Sequence, residues 1–372
     1  MLNLILCSKM KKILCLCFFG LIISIYAETK PTINKVIKYN GIPTKGNIQI
    51  YAHRGGRAIS PENTIPAYDS SLKIGVDYVD MDIHMTKDKK LIVCHTDFLD
   101  PAITRDESEN WISEDDKVYV KDLTVEEIQK YDVGQLKPGT DYAANFPYQA
   151  KMNHIPMPTL KSIIQHVKKI AGEKVGFLIE VKHMPDRADF FATPKELANA
   201  LYQIMKEEKI INRTEVQAFN WKVLQVLNKL DPKIKTAYLT GYKTNLDSIL
   251  SKNTEEAKKW TGGHLLKDYD NSIPKMIKAL GGYCFEPSSH DLTKEQLKKA
   301  HDLGLKVVIW SYVGKEYDTA FPSEIILKLF NWGVDGIIND RPDELRGFLA
   351  SRGYEVPQSF HVKDKFKNNY SK

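Results

Sequence analysis

The chain has 372 residues, 42% hydrophobic and 27% charged, an ordinary globular composition with enough apolar content for a large core. Its formal charge of +6 is too weak to argue for a nucleic-acid partner. Three of the five cysteines, Cys7, Cys15 and Cys17, fall near the N-terminus; Cys94 and Cys284 are too few for a disulfide scaffold.

Residues 1–27 differ from the rest. Lys9, Lys11 and Lys12 precede an apolar run from Ile13 to Ile25, and Ala27 follows. A charged segment, an apolar segment and a small residue at the cut read as a secretory signal peptide, with Met10 an alternative start. The run is short for a membrane span, and Cys15 and Cys17 lie inside it, so it does not close on a lipobox. The expected mature chain begins near Glu28, carries a charge of +3 and is secreted or periplasmic, with no stable membrane span after processing. Residues 28–46, with Pro31, Pro43 and Gly46, read as a lead-in linker.

From there short apolar runs alternate with helical segments. Ile48 to Ala52 is the first predicted strand. Pro61 to Leu72 leads into and forms a helix, stopped at Gly75, and Val76 to Ile83 is the second strand. Asp88-Lys89-Lys90 turns the chain so that Leu91 to Cys94 pairs back as a hairpin. Residues 98–157 are irregular and read as an insertion folded over one end of the domain, with one clear helix opened by the capping box Thr124-Val125-Glu126-Glu127. Regular alternation then resumes, with strands near 178, 217, 237, 284, 308 and 336, and helices opened by Thr159, Thr193-Pro194-Lys195-Glu196, Thr293-Lys294-Glu295-Gln296, Ser323 and Asp340-Arg341-Pro342. Eight βα units predict an α/β fold, a closed (β/α)8 TIM barrel over 47–350 with an insertion after the second strand. The competing architecture, an open doubly wound sheet, lacks a glycine-rich loop after any strand. The tail, 351–372, is lysine-rich and reads as a loose, solvated end.

Barrel active sites form at the carboxyl ends of the strands, and the polar residues of this chain collect there. His53 and Arg54 end the first strand, Asp80 and Asp82 the second, and His95 the hairpin; Glu180 and Lys182 end the third. Phe219, Glu286 and Trp310 end the fourth, sixth and seventh. Asp80 and Asp82, two apart on a strand, share a face at roughly 7 Å. Like charges that close repel unless a cation separates them, and oxygen ligands favour Ca²⁺ or Mg²⁺. A barrel needs none of these charges for stability.

Here the chain resembles the glycerophosphodiester phosphodiesterase family. The matching pieces are His53-Arg54-Gly55, Pro61-Glu62-Asn63-Thr64, Asp82, Thr86-Lys87-Asp88, His95, Pro158-Thr159-Leu160, Ile179-Glu180-Val181-Lys182, Trp310 and Gly336-Ile337-Ile338-Asn339-Asp340-Arg341-Pro342. They extend from about 48 to 350 in consistent order and spacing. The resemblance implies a TIM barrel that hydrolyses small glycerophosphodiesters to glycerol 3-phosphate and an alcohol with one divalent cation, Ca²⁺ favoured over Mg²⁺. It implies His53 and His95 as the acid–base pair, in either order. Asp82, Glu180, Glu62 and, at the position where the family usually carries Glu, Asp80 are the implied metal residues. Arg54 and Lys182 are implied to face the phosphate. Phe219 and Trp310 are either a wall for the glycerol or barrel core. Rival functions are a phospholipase D-like or cyclising enzyme on lyso or intact lipids, which calls for an exposed apolar lip, and a non-catalytic binding barrel, against which both histidines speak.

Overall fold

The computed structural model describes residues 48–115, 117–310 and 324–363. The expected signal segment, the lead-in and residues 364–372 lie outside them. Among the described residues nine strands form: β1 Gln49–Ala52, β2 Tyr78–Met85, β3 Leu91–Val93, β4 Gly176–Val181, β5 Thr214–Ala218, β6 Lys235–Thr240, β7 Cys284–Pro287, β8 Lys306–Trp310 and β9 Gly336–Asn339. β3 is the antiparallel hairpin partner of β2. The other eight run parallel, and β1 pairs with both β2 and β9, so the sheet closes on itself. The open doubly wound alternative is thereby overturned.

The helices are α1 Ile65–Ile74, α2 Val125–Ile128, α3 Asp141–Asn145, α4 Leu160–Ala171, α5 Pro194–Glu207, α6 Trp221–Leu230, α7 Thr254–Thr261, α8 Ile273–Ala279, α9 Lys294–Asp302, α10 Glu324–Trp332 and α11 Pro342–Ser351. The expected caps hold: the Thr193 and Thr293 hydroxyls accept the amides of Glu196 and Gln296, which bond back to the cap residues. Residues 61–64 lead into the first helix, which starts at Ile65 with Thr64 as its cap and stops at Gly75. The insertion holds two short helices, α2 and α3, where the sequence suggested one. The tail departs from expectation too. Phe360 N–H donates to Leu72 O at 2.9 Å, the Ser359 hydroxyl donates to Ile74 O at 2.9 Å, and Val362 is buried, so residues up to 363 pack along α1.

The barrel interior is not wholly apolar. Tyr51 and Tyr78 stack with ring centroids 4.5 Å apart. Beneath the mouth, Lys306 Nζ lies 2.8 Å from Glu215 Oε1, and Tyr51 OH donates to Glu215 Oε2 at 3.1 Å. Lys306 and Glu215 are both fully buried. Each charge is tolerable only because the other is present. Lys306→Met is therefore expected to destabilise the fold by about 3–5 kcal/mol, with part recovered in Lys306→Met/Glu215→Gln; urea denaturation of the three proteins checks it.

Candidate active site

The mouth is assembled from the segments that leave β1, β2 and β4. After Ala52 the chain enters a single tight turn, His53–Gly55, in which Arg54 adopts φ +49°. A non-glycine residue is strained in that left-handed region. The conformation aims Arg54 N–H at Asp80 Oδ2, 3.1 Å away. Gly55 follows at φ +78°, where a Cβ would lie 2.7 Å from Ala67 Cβ, so the turn sits on α1 only with glycine there.

Asp82 is the centre of the ionic network. Its Oδ2 accepts from Asn63 Nδ2 at 2.9 Å and lies 3.3 Å from Arg54 Nε; its Oδ1 lies 3.0 Å from Lys182 Nζ. Lys182 reaches Glu180 Oε1 at 2.6 Å, and Arg54 Nη1 donates to Glu62 Oε1 at 3.0 Å. Asp80 Oδ1 accepts from Gln217 Nε2 at 2.8 Å. The expected residues His53, Arg54, Glu62, Asp80, Asp82, Glu180 and Lys182 thus come together at one rim. The register explains why: Asp82 lies opposite Glu180, and Glu180 opposite Gln217.

Burial and charge set the protonation of this wall. Burial pushes Asp80 well above the usual carboxylate range, helped by Asp82 and Glu180. Burial acts on Asp82 too, but Lys182 and Arg54 outweigh it and hold Asp82 well below that range. Glu180 is pushed up to about 7 by burial, against the pull of Lys182. His95 is held well below its ordinary value by burial, then by Arg54 and Lys182. His53 is also lowered by burial, with Asp340 opposing.

The donor set fits a hard divalent cation. Asp80, Asp82, Glu180 and Glu62 offer only oxygens, and when ionised they face two cations, Arg54 and Lys182. The wall is then two positive charges short, and burial with neighbouring carboxylates raises Asp80 and Glu180 above the usual carboxylate range. Lys182 and Glu62 each already have protein partners here. Lys182, implied to face the phosphate, is paired with Asp82 and Glu180, because two buried carboxylates attract the nearest ammonium. Glu62, implied as a metal residue, is engaged by Arg54 and by the Tyr142 hydroxyl. Among the described residues, the trio whose ligand atoms lie within 4.8 Å of one another is Glu215, Cys284 and Glu286, and there Lys306 already serves as the cation for Glu215.

Phe219 and Trp310 meet edge to face, centroids 5.7 Å apart. Trp310 is part-exposed while Phe219 is nearly buried, and the indole N–H donates to Glu286 O at 3.2 Å. Cys94 and Cys284 are both free and buried. Sequence reasoning missed Gln217, Arg57, Tyr142 and the part played by Asn63 and Asp340. Asn63 and Asp340 stood inside the family's motifs, but Asp340 read as a helix opening. Nothing in the sequence pointed to Gln217 or Tyr142, which reach the mouth from β5 and from the insertion.

A closed parallel barrel with histidines, cations and carboxylates gathered at its carboxyl rim defines a barrel hydrolase. Similarity to known proteins sharpens this. The model of the glycerophosphoryl diester phosphodiesterase family matches residues 53–344. A glycerophosphodiester phosphodiesterase of Caldanaerobacter subterraneus is 26% identical over 304 residues, covering 82% of this chain and 98% of its own. One of Bacillus subtilis is 25% identical over 314 residues, covering 81% and 88%. A Silicibacter pomeroyi crystal structure carrying the family's name is 28% identical with a TM-score of 0.69, covering 86% of this chain and 96% of that one. The chain belongs to the glycerophosphodiester phosphodiesterase family, enzymes that hydrolyse glycerophosphodiesters.

The wall gives a pH prediction. A carboxyl raised when folded is protonated more in the native than in the unfolded state, so it favours folding below its raised value and loses that contribution as pH climbs. Chelated protein is expected to lose stability as pH rises from the ordinary glutamate range through about 7, where Glu180 ionises, and added Ca²⁺ to restore it. Thermal melting against pH, with chelator and with Ca²⁺, checks this.

Proposed function

We propose that this enzyme is a divalent-cation-dependent hydrolase of small glycerophosphodiesters that releases glycerol 3-phosphate by two-histidine acid–base catalysis. The observation that carries the reading is the buried rim in which Asp82 pairs with both Arg54 and Lys182, Lys182 with Glu180, and His53, the residue before Arg54, with Asp340. The family membership supplies the substrate class. A neighbouring Oleispira antarctica phosphodiesterase, similar in fold with a TM-score of 0.56, was solved with sn-glycerol 3-phosphate as product.

A phosphodiester carries one negative charge, and more develops on its non-bridging oxygens in the transition state. In this reading Arg54 and Lys182, both paired with Asp82, meet that charge. Asp82 holds both cations in position, and Asn63 fixes Asp82. One histidine removes the proton from the attacking hydroxyl and the other protonates the leaving alkoxide. The attacking hydroxyl is either water or the 2-hydroxyl of the substrate's own glycerol. Asp80, Asp82, Glu180 and Glu62 would hold the cation, which when bound neutralises charge on the phosphoryl group; Ca²⁺ suits the shorter Asp80 better than Mg²⁺. Trp310 and Phe219 form the apolar wall against which the glycerol carbons rest.

A small soluble substrate also agrees with the surface. Among the described residues the exposed large hydrophobics are Tyr148, Leu230 and Leu250, and only Tyr148 belongs to the insertion. Among the described residues these do not make an apolar lip for a lipid tail. The leading segment supports export, and mass spectrometry of the native protein is expected to find a chain beginning near Glu28.

The activity test is glycerol 3-phosphate release from glycerophosphocholine after chelation, with Ca²⁺ or Mg²⁺ added back. Release is expected to stop with chelator and return best with Ca²⁺; full activity in chelator would refute the cation requirement. His53→Ala and His95→Ala are each expected to lower kcat by about 10²-fold or more with the fold intact. Near-normal turnover in either would refute the two-histidine mechanism.

A further inference from the structure

We propose that Asp340, clamped by Arg57, is the positioning residue for His53, fixing the imidazole with its Nδ1–H turned into the protein and Nε2 toward the reacting phosphate. This rests on the two-histidine reading above and decides which nitrogen of His53 works. The topology creates the pair. β1 and β9 are neighbours with Ala52 opposite Asn339, so the next residue of each strand, His53 and Asp340, leaves the sheet side by side. His53 Nδ1 lies 2.5 Å from Asp340 Oδ1.

Asp340 is itself fixed on three sides. Arg57 Nε donates to its Oδ1 at 2.7 Å and Nη2 to its Oδ2 at 3.1 Å, a fork on a carboxylate. Its backbone oxygen accepts from Ala58 N–H at 3.3 Å. The insertion in turn braces Arg57. Gln149 Nε2 donates to Arg57 O at 2.6 Å, Tyr142 OH accepts from Nη1 at 3.4 Å, and the Phe146 ring lies 4.9 Å from the guanidinium. Arg57 and Asp340 are both nearly buried, whereas the His53 side chain keeps 20% of its surface open. The histidine is the member of the trio that reaches the mouth.

The chemistry follows from donor counting. An ionised carboxylate only accepts, and a neutral imidazole has one N–H. Between Asp340 and His53 the hydrogen must therefore sit on Nδ1, which leaves the lone pair on Nε2. When Nε2 takes a proton, a new N–H bond forms as an O–H bond breaks, and Asp340 stabilises the imidazolium without accepting the proton itself. Arg57 keeps Asp340 ionised throughout. His95 has no comparable carboxylate hydrogen bond among the described residues, so the two histidines are not equivalent.

The test combines a spectroscopic and a kinetic reading on the full enzyme. ¹⁵N NMR of the imidazole ring, with His53→Ala for assignment, is expected to find His53 in the Nδ1–H form. Asp340→Asn, whose amide can donate to Nδ1 and reverse the tautomer, is expected to cut kcat by about 10²-fold or more while KM stays within about threefold. Asp340→Glu should recover part of the loss. Asp340→Asn should have little further effect in a His53→Ala background, because both changes disable one unit. An Nε2–H tautomer in the wild type would overturn the proposal, as would a folded Asp340→Asn enzyme with near-normal kcat. If that variant does not fold, the wild-type tautomer decides the matter alone. Full turnover in His53→Ala would instead defeat the two-histidine reading, while the tautomer still reports on Asp340.

Discussion

The mouth of this barrel depends on one buried carboxylate. Asp82 is fully buried on β2 and holds Lys182, Arg54 and Asn63 at once. A buried carboxylate is costly unless paired, and so are a buried guanidinium and ammonium. Removing Asp82 would strand two cations in a low-dielectric wall. Leaving it alone with Asp80 and Glu180 would crowd like charges. The arrangement is a compromise that leaves the wall short of positive charge, and this shortage is what makes its oxygens fit a divalent cation.

Holding that wall requires backbone that ordinary sequence would avoid. Arg54 at φ +49° and Asn63 at φ +57° both lie in the left-handed region, and both place a group on Asp80 or Asp82. Strain of this kind persists only where surrounding structure over-determines it. Here Gly55 lets the turn lie against Ala67, and the backbone amide of Asn63 donates to Arg54 O at 2.9 Å. The insertion adds a second brace. Tyr142 of α3 donates to Glu62 and also accepts from Arg57, so one hydroxyl links the carboxylate beside Arg54 to the arginine behind His53. Through Tyr142 the insertion is thus in contact with the site.

Charge extends below the mouth. Lys306 and Glu215 form a closed pair in the barrel centre, and Glu286 lies above them with one carboxylate oxygen unpartnered. Burial and then Glu215 hold the Glu286 carboxyl well above its usual range. Most of the core is apolar and conventional, from Ile50 on β1 to Ile337 on β9. The polar layers sit where successive inward positions of β5, β7 and β8 meet on the axis.

The sequence by itself determined the barrel, because eight apolar runs, each followed by a capped or glycine-stopped helical segment, admit few other closures. It also determined which strand ends gather the charged side chains. Period-2 alternation puts Asp80 and Asp82 on one face, and the motif around Glu180 and Lys182 falls on the neighbouring strand, so the ionic wall was legible residue by residue. What the linear order could not contain was contact across closure. Asp340 lies 287 positions from His53, and only the pairing of β1 with β9 makes them neighbours. Gln217 meets Asp80 through the barrel axis, and Tyr142 meets Glu62 by the fold of an irregular segment without periodicity. The same holds for Lys182, whose choice of Asp82 and Glu180 reflects distances inside a dry wall. Local pattern fixes which way a side chain leaves its strand; only tertiary packing decides which distant charge it meets there.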